Sequence, residues 1–222
     1  MPTLDQAPPP SAKTRATRER LLVAGQAALI DGRGALEMSD VARRAGVSAG
    51  LAYHHFRSKT GLIAAIVEAF HEPLLPIAMG PSGRCAESWR RLEKDRLRRM
   101  IAHYYAHPLA PLIVGRLGRE PEILDLERRR HDAMLEEGAR NLAAAQAKGV
   151  IAADLDPEIA ISLVLGGMRQ ALVRALSRAP RPDPDMLCDQ LWRLIESALR
   201  LNGAKKAAPQ SDRASPPTGG TP

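Results

Sequence analysis

Apolar residues recur every three to four positions along most of the chain, which is the spacing of helices with one buried face. The pattern predicts helices at residues 14–30, 41–45, 49–56, from 59 to the prolines at 73 and 76, 86–107, 121–148, 159–176 and from 184 or 185. No run of alternating β-branched residues is long enough to predict a strand. The chain is therefore expected to be an all-α protein.

Residues 39–56 read SDVARRAGVSAGLAYHHF and predict two short helices joined by a tight turn. The first helix has a narrow apolar face, formed by Val41, Ala42 and Ala45. Gly46 permits the left-handed backbone that ends this helix, and Ser48 is placed to cap the next one. Two helices that meet across a turn of about four residues form a helix-turn-helix unit, a common DNA-binding element.

The second of these helices is predicted to read DNA. It begins with small residues, so its positive end can enter a major groove about 12 Å wide. Its apolar side is expected to hold Leu51, Ala52 and Phe56. The candidate DNA contacts are Ser48, Ala49, Gly50 and Leu51 at the groove, and Tyr53, His54, His55 and Lys59 mainly on phosphates.

This segment resembles the helix-turn-helix of the TetR/AcrR transcriptional regulators. The matching positions are Val41, Ala42, Ala45, Gly46, Val47, Ser48, Gly50, Tyr53, His55, Phe56, Lys59 and Leu62. The resemblance implies a three-helix DNA-binding domain followed by a helical bundle that binds a ligand and dimerises. It also implies a homodimer that binds a palindromic double-stranded DNA operator and is released by a small-molecule inducer. Most relatives repress transcription, and transcriptional activation with the same helix-turn-helix stays open as an alternative.

Two positions depart from the family pattern. Glu37 stands where a threonine or serine usually caps the first helix of the motif, and Arg33 replaces an aromatic residue before it. Ser39 is a candidate for a cap one turn later.

Positive charge is concentrated near the motif. Residues 13–59 carry nine Lys/Arg and four Asp/Glu, a net charge of +5, while the whole chain has +7. Because this positive charge coincides with the helix-turn-helix motif, it favours a polyanionic partner such as DNA.

The predicted domains follow composition. Residues 1–12 and 203–222 are rich in proline or small polar residues and are expected to be disordered tails. Residues 13–58 form the DNA-binding domain, 59–78 a connecting helix, and 79–202 the ligand-binding and dimerisation domain.

The last two helices are apolar on more than one face, which requires a partner on each face. In proteins that the chain resembles, these helices form a four-helix dimer interface. The residues expected there are Ile161, Leu165, Met168, Leu172, Leu191, Trp192, Ile195 and Leu199. A monomeric bundle that buries both helices is the alternative.

By the same resemblance, an effector pocket is expected between residues 86 and 174. Its candidate lining is Trp89, Met100, His103, Tyr104, His107, Leu112, Met134, Met168 and Arg169. The rival hypothesis is a metal-binding sensor or enzyme, because His103 and His107 are four apart on a helix and His131 is a candidate third ligand. No cysteine or carboxylate cluster completes that ligand set, so no metal, cofactor or catalytic residue is predicted.

Other features indicate a cytoplasmic regulator and not an enzyme. Cys85 and Cys188 are the only cysteines and form no disulfide framework. No nucleotide-binding loop, paired acid/base motif, secretory leader or membrane-length apolar stretch is expected.

Overall fold

The structure is a computed structural model that describes residues 11–80, 85–117 and 121–201. Over these residues it contains helices and no strand, which confirms the all-α prediction. The elements are α1 (Ala12–Asp31), α2 (Met38–Arg44), α3 (Ala49–Phe56), α4 (Lys59–His71), a 3-10 turn (Glu72–Leu74), α5 (Leu75–Ala78), α6 (Ala86–Ala106), α7 (Ala110–Gly115), α8 (Pro121–Ala147), α9 (Pro157–Leu176) and α10 (Pro184–Ala198).

Side-chain caps explain where several helices begin. In each case the residue before the helix accepts a hydrogen bond from an amide of the first turn, as a serine or aspartate at this position commonly does. These caps are Ser11, Ser48, Ser58, Asp156 and Asp183. Because Ser11 caps α1 and Ala12 begins it, the predicted tail of residues 1–12 was too long at its end. Residues 1–10 and 203–222 lie outside the described residues.

Helices α1 to α4 share one hydrophobic core. Leu21 and Leu29 of α1 and Leu62 and Ile66 of α4 are fully buried in it. Gly25 of α1 lets α4 approach closely, since a Cβ atom built there would lie 2.8 Å from the Ile66 Cδ1 atom. The first half of α4 therefore packs as part of the N-terminal unit, and the boundary after residue 58 stays a prediction.

Two prolines shape the end of the connecting helix. α4 ends at His71, and the 3-10 turn and α5 that follow carry Pro73 and Pro76 in their first turns. Proline removes an amide donor and disfavours a continuous helix.

A second core joins α6, α8, α9 and α10. α8 and α9 approach closely at Gly138, where an added Cβ atom would lie 2.3 Å from the Ile161 Cγ1 atom. α6 and α10 are linked along their exposed edges by ion pairs, including Lys94 with Asp189 at 2.8 Å. These contacts place four long helices around a common interior.

Two of the described helical segments are long and apolar enough to cross a membrane, by length and composition alone. They are Lys59–Ala78 and Pro157–Leu176. The expectation of no membrane-length apolar stretch was therefore wrong. The core helices of soluble proteins pass the same test, and Lys59–Ala78 supplies core residues. α9 differs, because it exposes much of its apolar surface: Ile159 is 70% exposed and Leu163 is 66% exposed.

Candidate DNA-binding face and effector cavity

The turn between α2 and α3 has the geometry that its sequence predicts. Gly46 has φ +65°, which a residue without a Cβ atom adopts readily. The amide of Val47 donates to the carbonyl of Ala42 at 3.0 Å, and the Ser48 hydroxyl accepts from the amide of Leu51 at 3.2 Å. The turn thus fixes α3 at a defined angle to α2.

One side of α3 is open to solvent. Ala52 and Phe56 face the core, whereas Leu51 is 38% exposed and Tyr53 is 49% exposed. The expectation that Leu51 belongs to the apolar buried side was therefore wrong, because it lies on the outer side of the helix. The remaining candidates on this outer surface are Ser48, Ala49, Gly50 and His54. We call these six residues the outer face of α3.

His55 lies at the edge of this face and is partly buried. Burial lowers the pKa of its imidazole, and the neighbouring His54 and Arg18 lower it further. This shift favours the neutral imidazole, whose N–H group can donate a hydrogen bond to a phosphate oxygen.

The Lys59 ammonium group, predicted to contact a DNA phosphate, already has a carboxylate partner. Its Nζ atom lies 3.1 Å from the Oε1 atom of Glu37, the residue before α2. Glu37 makes no capping hydrogen bond, and Ser39 lies inside α2, so the expected replacement cap at Ser39 is wrong. Glu37 instead ties the start of α2 to the start of α4, and Lys59 reaches DNA only if it exchanges this partner or shares it.

Arg57 is a candidate contact that the sequence analysis missed. It ends α3 with φ +60° and an exposed side chain, between the outer face of α3 and the capped start of α4. Its position among basic residues near the motif was visible in the sequence, but its backbone conformation was not. By contrast, Arg44 is bound to Asp31 and Asp40. Among the residues described, Arg57 has no ion-pair partner.

The second notable region is a cavity of about 110 Å³ between α6, α8, α9 and α10. Four predicted lining residues lie on its wall: Trp89, Met100, Met134 and Met168. The wall is mostly hydrocarbon and thioether, with Glu93, Arg96, Glu137 and Asn141 as its polar members. Several residues that were predicted at the dimer interface also line this cavity, as described below.

The other predicted lining residues lie outside this wall. His103 donates from Nε2 to the carbonyl of Phe70 at 2.8 Å, and His107 accepts from the amide of Leu109 through Nδ1 at 3.3 Å. Tyr104 lines a smaller cavity nearby. Leu112 packs against the core of α1–α4, and Arg169 is exposed. These five residues lie off the wall of the larger cavity, and their part in an effector site stays a prediction.

The described residues contain no group of three or more His, Cys, Asp or Glu side chains that is arranged to hold a metal ion. His103 and His107 are committed to backbone partners, as noted above, and His131 is exposed. The metal-binding hypothesis therefore finds no support in this part of the chain.

The predicted dimer residues divide into two groups. Leu172, Trp192 and Leu199 are buried within the subunit, so they cannot form an interface, and that part of the prediction is wrong. Ile161, Leu165, Met168, Leu191 and Ile195 are partly buried. Ile161, Leu165, Met168 and Ile195 line the cavity, as do Trp192 and Leu199. The exposed apolar residues of the two helices, which the prediction missed, are Ile159, Leu163, Met186 and Leu194.

A helical chain with a capped turn and a solvent-open second helix defines the class of helix-turn-helix proteins. Residues 27–66 match the sequence profile of the family described as bacterial regulatory proteins, tetR family. This match, together with the structural similarities below, confirms the resemblance to the TetR/AcrR transcriptional regulators.

Solved structures of such regulators share the fold. GusR of Salmonella enterica is 25% identical, with a TM-score of 0.66 over 83% of this chain and 95% of that one. A regulator from Rhodococcus sp. that is assigned to the TetR family is 25% identical, with a TM-score of 0.64 over 82% and 98%. SmeT, the repressor of the Stenotrophomonas maltophilia multidrug efflux pump SmeDEF, is 22% identical, with a TM-score of 0.69 over 83% and 91%. No curated protein sequence matches the chain.

Proposed function

We propose that the chain is a ligand-responsive transcriptional repressor that binds a palindromic operator as a homodimer. The observation that carries the proposal is the outer face of α3, where small residues at the helix start are followed by exposed Tyr53 and His54. Ala49 and Gly50 leave room for close approach to base edges, and Tyr53 and Arg57 are suited to phosphates.

The surface of the last two helices supports the proposed homodimer. Ile159 and Leu163 of α9 and Met186 and Leu194 of α10 are each more than 60% exposed. Exposed apolar side chains on adjacent helices favour burial against a second copy, and a twofold interface also matches a palindromic site. Gly166 and Gly167 lie beside them and permit close helix packing.

A response to an effector requires contacts that couple the cavity to the helix-turn-helix unit. Met100 and Met134 line the cavity and also pack with the core that contains α4. The end of α4 is held between α6 and α8: Phe70 contacts His103, and His71 lies 3.2 Å from Glu127, which is also bound by Arg130. A ligand that moves α6 or α8 would therefore move α4 and shift the population of DNA-binding conformations.

Repression is proposed over activation because two proteins of similar fold are described as repressors. These are SmeT and NalD, the secondary repressor of the MexAB-OprM efflux pump in Pseudomonas aeruginosa. A regulator of this kind acts where the chromosome is, so we also propose a cytoplasmic location. Activation would place the operator upstream of the promoter and leave the reader unchanged.

The test is a titration of the purified protein against its own upstream intergenic DNA and a shuffled control, at two salt concentrations. The proposal predicts selective binding of the upstream DNA with two protomers per site. Leu163→Arg should yield monomers in sedimentation velocity and lose the selective complex, while Arg128→Ala, on the exposed side of α8, should retain both. Equal and weak binding to both DNAs, or a monomeric wild-type protein, would contradict the proposal.

A further inference from the structure

The charged groups of the effector cavity are already paired. Arg96 Nη1 donates to both carboxylate oxygens of Glu93, at 2.8 and 2.7 Å, and its Nη2 donates to the carbonyl of Gly80 at 2.7 Å. Both side chains are at most 16% exposed. Glu137 is bound by Arg140 at 2.6 Å. Within the described part of the wall, each carboxylate thus has a cationic partner, and the Arg96 guanidinium has both a carboxylate and a carbonyl.

The rest of the wall offers contact area and little polarity. Trp89 and Trp192 both line the cavity, with ring centroids 6.4 Å apart, and aromatic rings pack well against other rings. Four methionines, Met79, Met100, Met134 and Met168, complete it. Methionine is unbranched and flexible, so such a wall adapts to molecules of different shape.

Binding of a charged ligand in this cavity would carry an unfavourable desolvation free energy. Moving an ionic group out of water is unfavourable unless a counter-charge and hydrogen bonds replace the water, and the available ionic groups satisfy each other. Binding a cation or an anion would require an existing pair to open.

From this arrangement we propose that the cavity binds uncharged, predominantly apolar aromatic molecules and rejects organic cations and carboxylates of the same ring system. The proposal rests on the proposed function, in which this cavity is the effector site. It goes further by naming the chemical class of the effector.

The experiment compares three single-ring molecules of a size suited to a cavity of about 110 Å³: toluene, benzylamine as the cation, and benzoate as the anion. Isothermal titration calorimetry with the full-length protein measures the Kd of each molecule. We expect toluene to bind with a Kd at least about tenfold lower than that of either charged molecule. A charged molecule that binds as tightly as toluene would overturn the assignment.

Two variants sharpen the result. Glu93→Gln leaves the Arg96 charge uncompensated, so it should improve binding of benzoate by about tenfold relative to the wild type. Glu136→Gln makes the same change on an exposed part of α8 outside the cavity wall and should leave all three affinities as they are. Improvement by both variants, or by neither, would contradict the role given to the Glu93–Arg96 pair.

The outcomes separate this proposal from the proposed function. If none of the three molecules binds or raises the melting temperature, this assignment fails, while operator binding and dimerisation, which are measured separately, decide the proposed function. If a charged molecule binds best, the cavity is a ligand site and the assignment to uncharged molecules alone fails.

Discussion

The candidate DNA-binding unit of helices α1–α4 and the candidate effector cavity are built in opposite ways. The outer face of α3 arises from contiguous residues, with a glycine turn and a serine cap that fix its direction locally. The cavity wall is assembled from α6, α8, α9 and α10, whose lining residues span more than 100 positions of the chain. A locally encoded site can be read from spacing, whereas a site assembled from distant helices depends on how those helices pack.

The largest expected effect is on stability, and it comes from removing a buried side chain where α4 packs against α6. Phe70 of α4 is 1% exposed and contacts the rings of His71, His103, Tyr104 and His107. Phe70→Ala should lower the free energy of unfolding by about 3–5 kcal/mol, because it removes a large buried side chain. Urea denaturation measures this.

Tyr53→Ala is the control for that substitution, since the tyrosine is 49% exposed. It should change the unfolding free energy by less than about 1 kcal/mol. A similarly small loss for Phe70→Ala would mean that α4 is not held between the two regions.

The next effect concerns the reader alone. Tyr53→Ala and Arg57→Ala should each weaken operator binding about fivefold, because each removes a donor suited to phosphate. Arg57→Ala should also make the salt dependence shallower by about 0.9 in the slope of log K against log salt. Fluorescence anisotropy at several salt concentrations measures both quantities. If base preference changed and affinity did not, the two residues would be base readers.

A more local effect is expected at a second link between the regions. Arg116, just after α7, donates from Nη1 to the carbonyl of Arg33 at 2.7 Å, in the turn between α1 and α2. Arg116→Met should raise the hydrogen-exchange rate of the Gly34 and Ala35 amides by about tenfold, since a hydrogen bond from a charged group contributes about 1.5 kcal/mol. Exchange measured by NMR with Arg128→Met as control tests this. Unchanged exchange rates in both variants would mean that Arg116 does not couple the cavity region to helices α1–α4.

The smallest effect is a pH dependence at the end of α4. Burial lowers the pKa of His71, and Arg130 and His103 lower it further, while Glu127 opposes the shift. The unfolded chain therefore takes up a proton before the folded one as pH falls through 6.5, and stability decreases there. His71→Gln should flatten the decrease between pH 7 and pH 5 in thermal unfolding. His131→Asn, at an exposed position, should leave it unchanged, and a variant slope equal to that of the wild type would contradict this account.

The sequence predicted the reader well because its determinants are neighbours. The cap at Ser48, the left-handed Gly46 and the bounds of α3 all followed from spacing. The misplaced details were those that depend on another element. Glu37 stands at the cap position of α2 without a capping hydrogen bond, and its side chain instead pairs with Lys59, 22 positions away.

The dimer and pocket residues show the same limit. Leu172, Trp192 and Leu199 lie on apolar helix faces, and the sequence does not distinguish a face that meets another helix of the subunit from one that meets a second copy. The structure separates them, since these three are buried while Leu163 and Leu194 are exposed. Periodicity identified the apolar positions, and packing decided what each one covers.

The central claim is that two copies of α3 read one palindromic site. The most direct measurement is selection of bound sequences from a pool of random DNA by the purified full-length protein, followed by sequencing. The account predicts an inverted repeat whose half-site centres are one helical turn apart, about 34 Å, or a multiple of it. Tyr53→Ala should recover the same repeat with lower enrichment. Recovery of no common sequence, or of a single unrepeated half-site, would contradict the account.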